Sequence, residues 1–473
     1  MTGISRIDFL RGTLASLGFS MLGGPLFAAP SGWKPGGKPN LVFGVVSDTH
    51  LKTSHSGKGP GRSWPTKYFE AALRYFRDAN VDAVVHCGDM AHRGQTREIE
   101  FHAEVWRKVF PKNRAPDGHV VEKLFVTGNH DVAGSGYDDF VAKIYPDPAV
   151  RSKHVFATDK SGSWQHIWGE KYEPVWHKVV KGYHFVGRHW DVPEKEEVKF
   201  LERNAKLLGE GGPKRPFFLL SHVRPHAALS KAMKRFDNAV GFHGHWHISA
   251  TNWNVLRSWN GKTPVFNCPS CEPRGTEALV DDAYISKAKI TGREATGKAR
   301  QGYVVRVYDD MLTIERREFG AGGSLGPDWV LPFGALPSGI AGIRADRKKR
   351  IGCPQFGKNV KLKVESVKLE KEEDGVRVTI PLADGNPDSR VYAYEVAVQD
   401  EKGDTKLLKA TYAVGVNMGI GHEPNNGITT IDIPMKELPK GDVVTFSVCP
   451  LSSLGTRGNP ITLTYQKEPH ENA

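Results

Sequence analysis

Five short strings in this sequence carry side chains of the kinds that hold metal ions: Asp48-Thr49-His50, Gly88-Asp89, Gly128-Asn129-His130-Asp131, Ser221-His222 and Gly244-His245-Trp246-His247. Carboxylate, amide carbonyl and imidazole together suit divalent first-row metals such as Mn, Fe or Zn. Two such ions sharing a carboxylate clamp a phosphoryl group and make hydroxide available near neutral pH. Each string also has an ordinary reading. Asp-x-His is a common triplet, Gly-Asp and Gly-Asn after a strand are turn sequences, and His-x-His can be two surface histidines. Their order along the chain, each at a strand end, is what those readings leave unexplained.

The elements between the strings supply the positioning. Leu41 to Val46 is a nearly continuous apolar run suited to a fully buried strand, as is Val81 to His86. Thr66 to Asn80 places Phe69, Leu73 and Phe76 at helical spacing, and a second helix is predicted through Glu98 to Val109. A third strand follows at Val121 to Val126, with others at Tyr183 to Val186, Phe217 to Leu220, Ala239 to Phe242 and Pro264 to Phe266. Tyr303 to Phe319 reads as a hairpin turning at Asp309-Asp310. Strands alternating with helices imply an α/β architecture with parallel strands. Ligands then bind outside the carboxyl ends of those strands, where the five strings fall. An aromatic-rich stretch holding Trp164, Trp168, Tyr172 and Trp176 interrupts the pattern. It reads either as a substrate-facing lobe or, preferably, as a loop packed onto the body.

The ordered set Asp-x-His, Gly-Asp, Gly-Asn-His-Asp, His and Gly-His-x-His resembles the signature of the calcineurin-like metallophosphoesterase superfamily over Leu41 to Phe319. The resemblance implies a four-layer αββα sandwich and two divalent metal ions. Position by position, Asp48, His50 and His247 would hold one metal, and Asn129, His222 and His245 the other. Asp89 would bridge them. His130 would contact the phosphate and protonate the leaving oxygen, with Asp131 orienting its ring. A metal-bridging hydroxide would attack phosphorus in line, with inversion and no phosphoenzyme. Asp89 through Gly94 partly matches the Gly-Asp-x-x-Asp-Arg-Gly string of protein serine/threonine phosphatases, so Arg93 reads either as a phosphate ligand or, preferably, as a surface arginine. His92 stands where that string has aspartate, and reads either as a substrate contact or, preferably, as a polar loop residue. Purple acid phosphatases carry Asp-x-Gly and a tyrosine ligand where this chain has His50 and His92, so an iron-tyrosinate site is not expected. His189 and Trp190 follow a predicted strand and could edge the site, and His226 and His243 match no signature position.

A length of 473 residues predicts more than one globular domain. The formal charge of +12 suits an anionic substrate, a phosphorylated small molecule or polymer. Lysines and arginines are scattered, the densest run being Arg347 to Arg350, which argues against a nucleic-acid surface. Five cysteines cannot all pair, and Cys268 and Cys271 form a lone C-x-x-C without a second pair at zinc spacing. Arg6 and Arg11 followed by an apolar run from Leu14 to Ala29 read as an export signal, too short and Gly-interrupted for a stable membrane span. Ser5 to Arg11 resembles a twin-arginine signal, with Ile7 in place of the second arginine. The expected location is periplasmic or secreted.

The expected organisation is an export signal over 1–29, a linker over 30–39, the metallophosphoesterase domain over 40–330, a Pro/Gly/basic linker over 331–352 and a β-sandwich over 353–473. In the last, Val376-x-Val378-x-Ile380, Tyr392 to Val398 and Val444-x-Phe446-x-Val448 alternate as half-buried strands do. Ser447 to Pro460 resembles the closing strands of fibronectin type III domains. The functional expectation is metal-dependent hydrolysis of phosphate esters, mono- or diesters. The other class considered is a non-catalytic binding protein on the same scaffold, against which the complete ligand set argues.

Overall fold

The computed structural model describes residues 37–56, 59–62, 66–132, 142–143, 145–209, 215–252, 255–271, 286–291, 300–326, 328–333, 352–383, 390–416 and 418–467. The export segment 1–29 and most of both linkers lie outside the described residues. Along the chain the first strands are β1 (Leu41–Val46), β2 (Thr53–Ser56), β3 (Gly59–Arg62), β4 (Ala83–Cys87), β5 (Glu122–Val126), β6 (Val175–Val180), β7 (Tyr183–Arg188) and β8 (Phe217–Ser221). Then come β9 (Ala239–His243), β10 (Leu256–Arg257), β11 (Val265–Asn267), β12 (Ile290–Thr291), β13 (Gln301–Val307), β14 (Met311–Glu318) and β15 (Trp329–Pro332).

Two six-stranded sheets result, ordered β15-β14-β13-β1-β4-β5 and β10-β11-β9-β8-β7-β6. In the first, β1, β4 and β5 are parallel, and β13 to β15 extend the sheet antiparallel. In the second, β7, β8, β9 and β11 are parallel, with antiparallel β6 and β10 at the edges. The antiparallel additions follow from hairpin connections, which the β13–β14 turn at Asp309-Asp310 illustrates.

Strand alternation sorts the side chains into layers. Phe43, Val45, Ala83 and Val85 meet Phe185, Phe218, Leu220 and Phe242 in one core between the sheets. The Phe43 ring lies edge-on to Phe185, Phe218 and Phe242 at centroid distances of 5.4, 5.1 and 5.9 Å. Truncating Phe43 to Ala would therefore cost about 3–5 kcal/mol. Val46 and Val84 instead face the helices Thr66–Asp78 and Thr96–Val109 through Phe69, Phe76 and Trp106. On the far side, Phe217 and Leu219 pack against Leu201 of the helix Glu194–Arg203 and Leu229 and Met233 of the helix Ala227–Met233. Helix, sheet, sheet and helix layers make the expected four-layer αββα sandwich.

The aromatic stretch packs onto the body. Trp164, Trp168 and Tyr172 join the outer cluster with Trp106 and Phe125. Trp176 lies in β6, enters the inter-sheet core, and its Nε1 donates to the Phe125 carbonyl at 3.0 Å. No strand was expected there, because four aromatic residues spread over this stretch hide the alternation of Val175 to Val180.

The remaining strands are β16 (Lys363–Lys368), β17 (Asp374–Ile380), β18 (Val391–Gln399), β19 (Thr405–Tyr412), β20 (Thr429–Pro434), β21 (Val443–Ser452) and β22 (Ile461–Gln466). They form sheets β12-β19-β18-β21-β22 and β16-β17-β20. Val376, Val378, Tyr394, Val396, Phe446 and Val448 fill the core they share. β12 pairs in parallel with β19, so residues 290–291 join this sheet although they precede β13 in the chain. Among the described residues no helix is long and apolar enough to cross a membrane.

Candidate metal centre

The strings at the ends of β1, β4, β5, β8 and β9 converge. Asp48 and His50 leave β1 in a loop whose amides are fixed by the neighbouring loop. The Asp48 amide donates to the Gly88 carbonyl and the His50 amide to that of Asp89, both at 3.0 Å. Asp48, His50, Asp89, His245 and His247 all adopt positive φ, between 44° and 73°. Five residues with side chains in the left-handed region are costly, and such strain gathers at functional sites because the surroundings enforce it. Gly88 permits the close approach. A Cβ there would stand 2.7 Å from both Gly128 N and His222 Nδ1.

Two groups of donor atoms form within 4.8 Å of one another: Asp48, His50 and His247, and Asp89, His222 and His245. In the first, His247 Nε2 lies 3.0 Å from Asp48 Oδ1 and 3.3 Å from His50 Nε2. In the second, His222 Nε2 lies 3.2 Å from Asp89 Oδ2 and 3.0 Å from Asn129 Oδ1. Asn129 Oδ1 is also 3.0 Å from His245 Nδ1. Asp89 reaches the first group as well, with Oδ2 3.7 Å from His50 Nε2. Asp48, His50, Asp89, Asn129, His222, His245 and His247 are thus brought together, with Asp89 between the groups.

The tautomers are set from behind. His222 Nδ1 donates to the Cys87 carbonyl at 2.7 Å, which turns Nε2 toward Asp89 and Asn129. Burial above all holds His50 down at about 3, so it is neutral and offers a lone pair at neutral pH. Burial opposes ionisation of Asp48, yet the charge and hydrogen bond of His247 outweigh it and hold the carboxyl well below the usual range. Burial likewise opposes a charged His222, but the Asp89 carboxylate prevails and lifts it to about 10. Imidazole nitrogens also face each other at 3.3 Å in both groups, His50 with His247 and His222 with His245. Opposed lone pairs at that distance require a shared cation or proton. The donor set therefore fits divalent metal, which would take the place of the proton on His222 and bind the neutral imidazoles and the carboxylates.

His130 sits beside this cluster, its ring edge-on to His50 at 4.6 Å. Its amide donates to Asp89 Oδ1 at 2.8 Å, and its Nδ1 donates to the His92 carbonyl at 2.9 Å. The expected pairing of Asp131 with the His130 ring is not what holds that ring. The Asp131 carboxylate accepts the amides of Ala91 at 2.6 Å and Gly128 at 2.7 Å. The short turn Asn129–Val132 directs Asp131 back under its own N-terminus, where unpaired amides attract a carboxylate. Burial, with Asp89 second, pushes Asp131 up to about 7.

His92 is not a solvent-facing loop residue. It is buried beside the centre, stacked on His130 at 5.6 Å and edge-on to His50 at 5.5 Å. Its nitrogens group with those of His50 and His130. The signal was its place three residues after Asp89. Arg93 is half-buried, and its amide donates to Glu98 at 2.8 Å. Trp190 edges the centre, 5.6 Å from the His222 ring and 5.8 Å from that of His245. His189 belongs to the interior, stacked on Tyr172 at 4.0 Å, and His243 is buried with Nδ1 on the Gly244 carbonyl.

Residues 41–249 match the family model described as calcineurin-like phosphoesterase. Among curated proteins the chain has no match. Similar solved structures include a dimetal phosphatase from Danio rerio, 11% identical, with a TM-score of 0.34, covering 63% of this chain and 100% of that one. A purple acid phosphatase from yellow lupin is 12% identical, with a TM-score of 0.38, over 62% of this chain and 55% of its own. Vps29 complexed with zinc, from Entamoeba histolytica, is 12% identical, with a TM-score of 0.29, over 62% and 99%. At these scores the structural likenesses carry no assignment.

Proposed function

Since residues 41–249 belong to the calcineurin-like phosphoesterase family, we propose that the chain hydrolyses phosphate esters at a centre of two divalent cations. The observation that carries this reading is the pair of donor groups joined through Asp89. Asp48, His50 and His247 would hold one ion; Asn129, His222 and His245 the other; Asp89 would serve both. When bound, the two ions (Mn, Fe or Zn) supply Lewis acidity toward phosphoryl oxygens and lower the pKa of water toward neutrality.

The chain's own residues do the rest. His130 has Nδ1 committed to the His92 carbonyl, so Nε2 is the atom that delivers a proton to the leaving oxygen. The stacked His92 ring limits rotation of His130. Asp131 ties the loop after β4 to the turn after β5 and so holds Asp89 and Asn129 in register. Trp190 shields one flank from water. Arg93, one residue beyond His92, is the candidate for gripping a non-bridging phosphate oxygen. Arg6, Arg11 and the apolar run that follows support an exported, periplasmic or secreted protein.

Hydrolysis of p-nitrophenyl phosphate and bis-p-nitrophenyl phosphate by metal-stripped protein, with and without Mn²⁺, tests the reading. Metal-restored cleavage is expected, and the ratio of the two rates assigns monoesterase or diesterase. No cleavage together with no bound metal would overturn it.

A further inference from the structure

Just beyond His222 in the chain lies a recess with a different character. A cavity of about 440 Å³ opens between the helix Ala227–Met233 and Trp259, with Arg224, Lys231 and Lys234 in its wall. Arg224 is two residues beyond His222 in the chain. Its guanidinium lies 5.5 Å from the centre of the Trp246 ring and 5.9 Å from that of Trp259. Arg257 covers the same Trp246 ring at 5.2 Å. Trp246 separates His245 from His247, so the indole that carries both guanidinium groups is continuous with two of the proposed metal ligands.

The charges here are not balanced from within. Among the described residues no carboxylate pairs with Arg224, Lys231 or Lys234. Glu194 accepts the amides of His226 and Leu229, and Asp237 pairs with Lys262. Burial and then the nearby Arg224 charge pull Arg257 below its ordinary range, as expected where cations crowd. Exposed lysines alone would be a solvated surface. Arg224 is different, since it is half-buried and stacked on two indoles, which fixes a guanidinium fork in advance of any ligand. A phosphate with its charge and three acceptor oxygens fits such a fork flanked by two ammonium groups.

We infer that this recess is a subsite for a second, non-reacting phosphate, and that the natural substrates carry two phosphate groups. One would lie at the metal donors and the other on Arg224, Lys231 and Lys234. The inference rests on the phosphoesterase reading above.

The test compares propane-1,3-diyl bisphosphate with propyl phosphate, following phosphate release by Mn²⁺-loaded wild type, Arg224→Met and the double variant Lys231→Ala/Lys234→Ala. The two lysines are exposed, so the second variant keeps the test sound if Arg224→Met folds poorly. Wild type should favour the bisphosphate at least ~10-fold in kcat/KM, mainly through KM, and each variant should lower that preference by ~10-fold or more. No preference in wild type, or an undiminished one in both variants, overturns the inference. If wild type cleaves neither compound nor p-nitrophenyl phosphate, the phosphoesterase reading fails. Calorimetry with inorganic pyrophosphate then judges the recess alone. Affinity lowered ~10-fold in the variants supports an anion site, and equal affinity in all three proteins removes it.

Discussion

Asp89 stands between two imidazoles, its Oδ2 3.2 Å from His222 Nε2 and 3.7 Å from His50 Nε2. One carboxylate therefore borders both donor groups. Replacement by asparagine removes an anion from each and leaves the shape nearly unchanged. Asp89→Asn should lose both metals together, and metal analysis of the purified variant should show well under one equivalent per chain. Full occupancy of either group would refute the bridging position.

His130 lies against the cluster without belonging to the two carboxylate-bearing donor groups. His130→Asn should keep its metal and lose turnover by about 10²–10⁴-fold on alkyl phosphates, the usual worth of a general acid. Aryl phosphates need less help from a proton, and their loss should be much smaller. An equal loss on both substrates would remove the acid role.

Asp131 takes two backbone amides, from Ala91 and Gly128. Asparagine keeps one acceptor and turns an NH₂ donor toward an N–H. Asp131→Asn should therefore cost about 1–3 kcal/mol in stability, read by denaturant unfolding, and metal affinity should weaken with it. A residue that merely oriented the His130 ring would instead lower kcat with stability intact.

The sandwich and the seven donors were legible because each strand is short, apolar and followed at once by its ligand string. β1 and Asp48, β4 and Asp89, and β9 and His245 all obey that order. What was hidden depended on partners distant in sequence. His92 looked like a loop residue because its burial is created by His50 and His130. Asp131 was misjudged because adjacency to His130 says nothing of where its carboxylate turns. The C-x-x-C spacing of Cys268 and Cys271 gave no sign that their thiols part: Cys268 meets Cys87 at 3.6 Å across the inter-sheet core, while Cys271 packs in the outer cluster. The crossing of β12 into the C-terminal sheet left no trace in a two-residue strand.

Glu197 gives the fold a pH dependence of its own. It is buried, with Oε2 accepting Arg188 Nε at 2.8 Å and Oε1 without a hydrogen-bond partner. Burial outweighs the Arg188 charge and pushes its carboxyl up to about 7. In the unfolded chain a glutamic acid titrates near ~4.3. The folded state therefore holds the proton more tightly, and the stability this contributes is fully present below ~4.3 and lost as pH rises through about 7. Wild-type Tm should fall between pH 5 and 8 by an amount worth about 1–3 kcal/mol from this group. Glu197→Gln has no carboxyl to ionise, so its profile over the same range should be flatter. Parallel profiles would mean that Glu197 is already ionised at pH 5, with the Arg188 charge prevailing over burial.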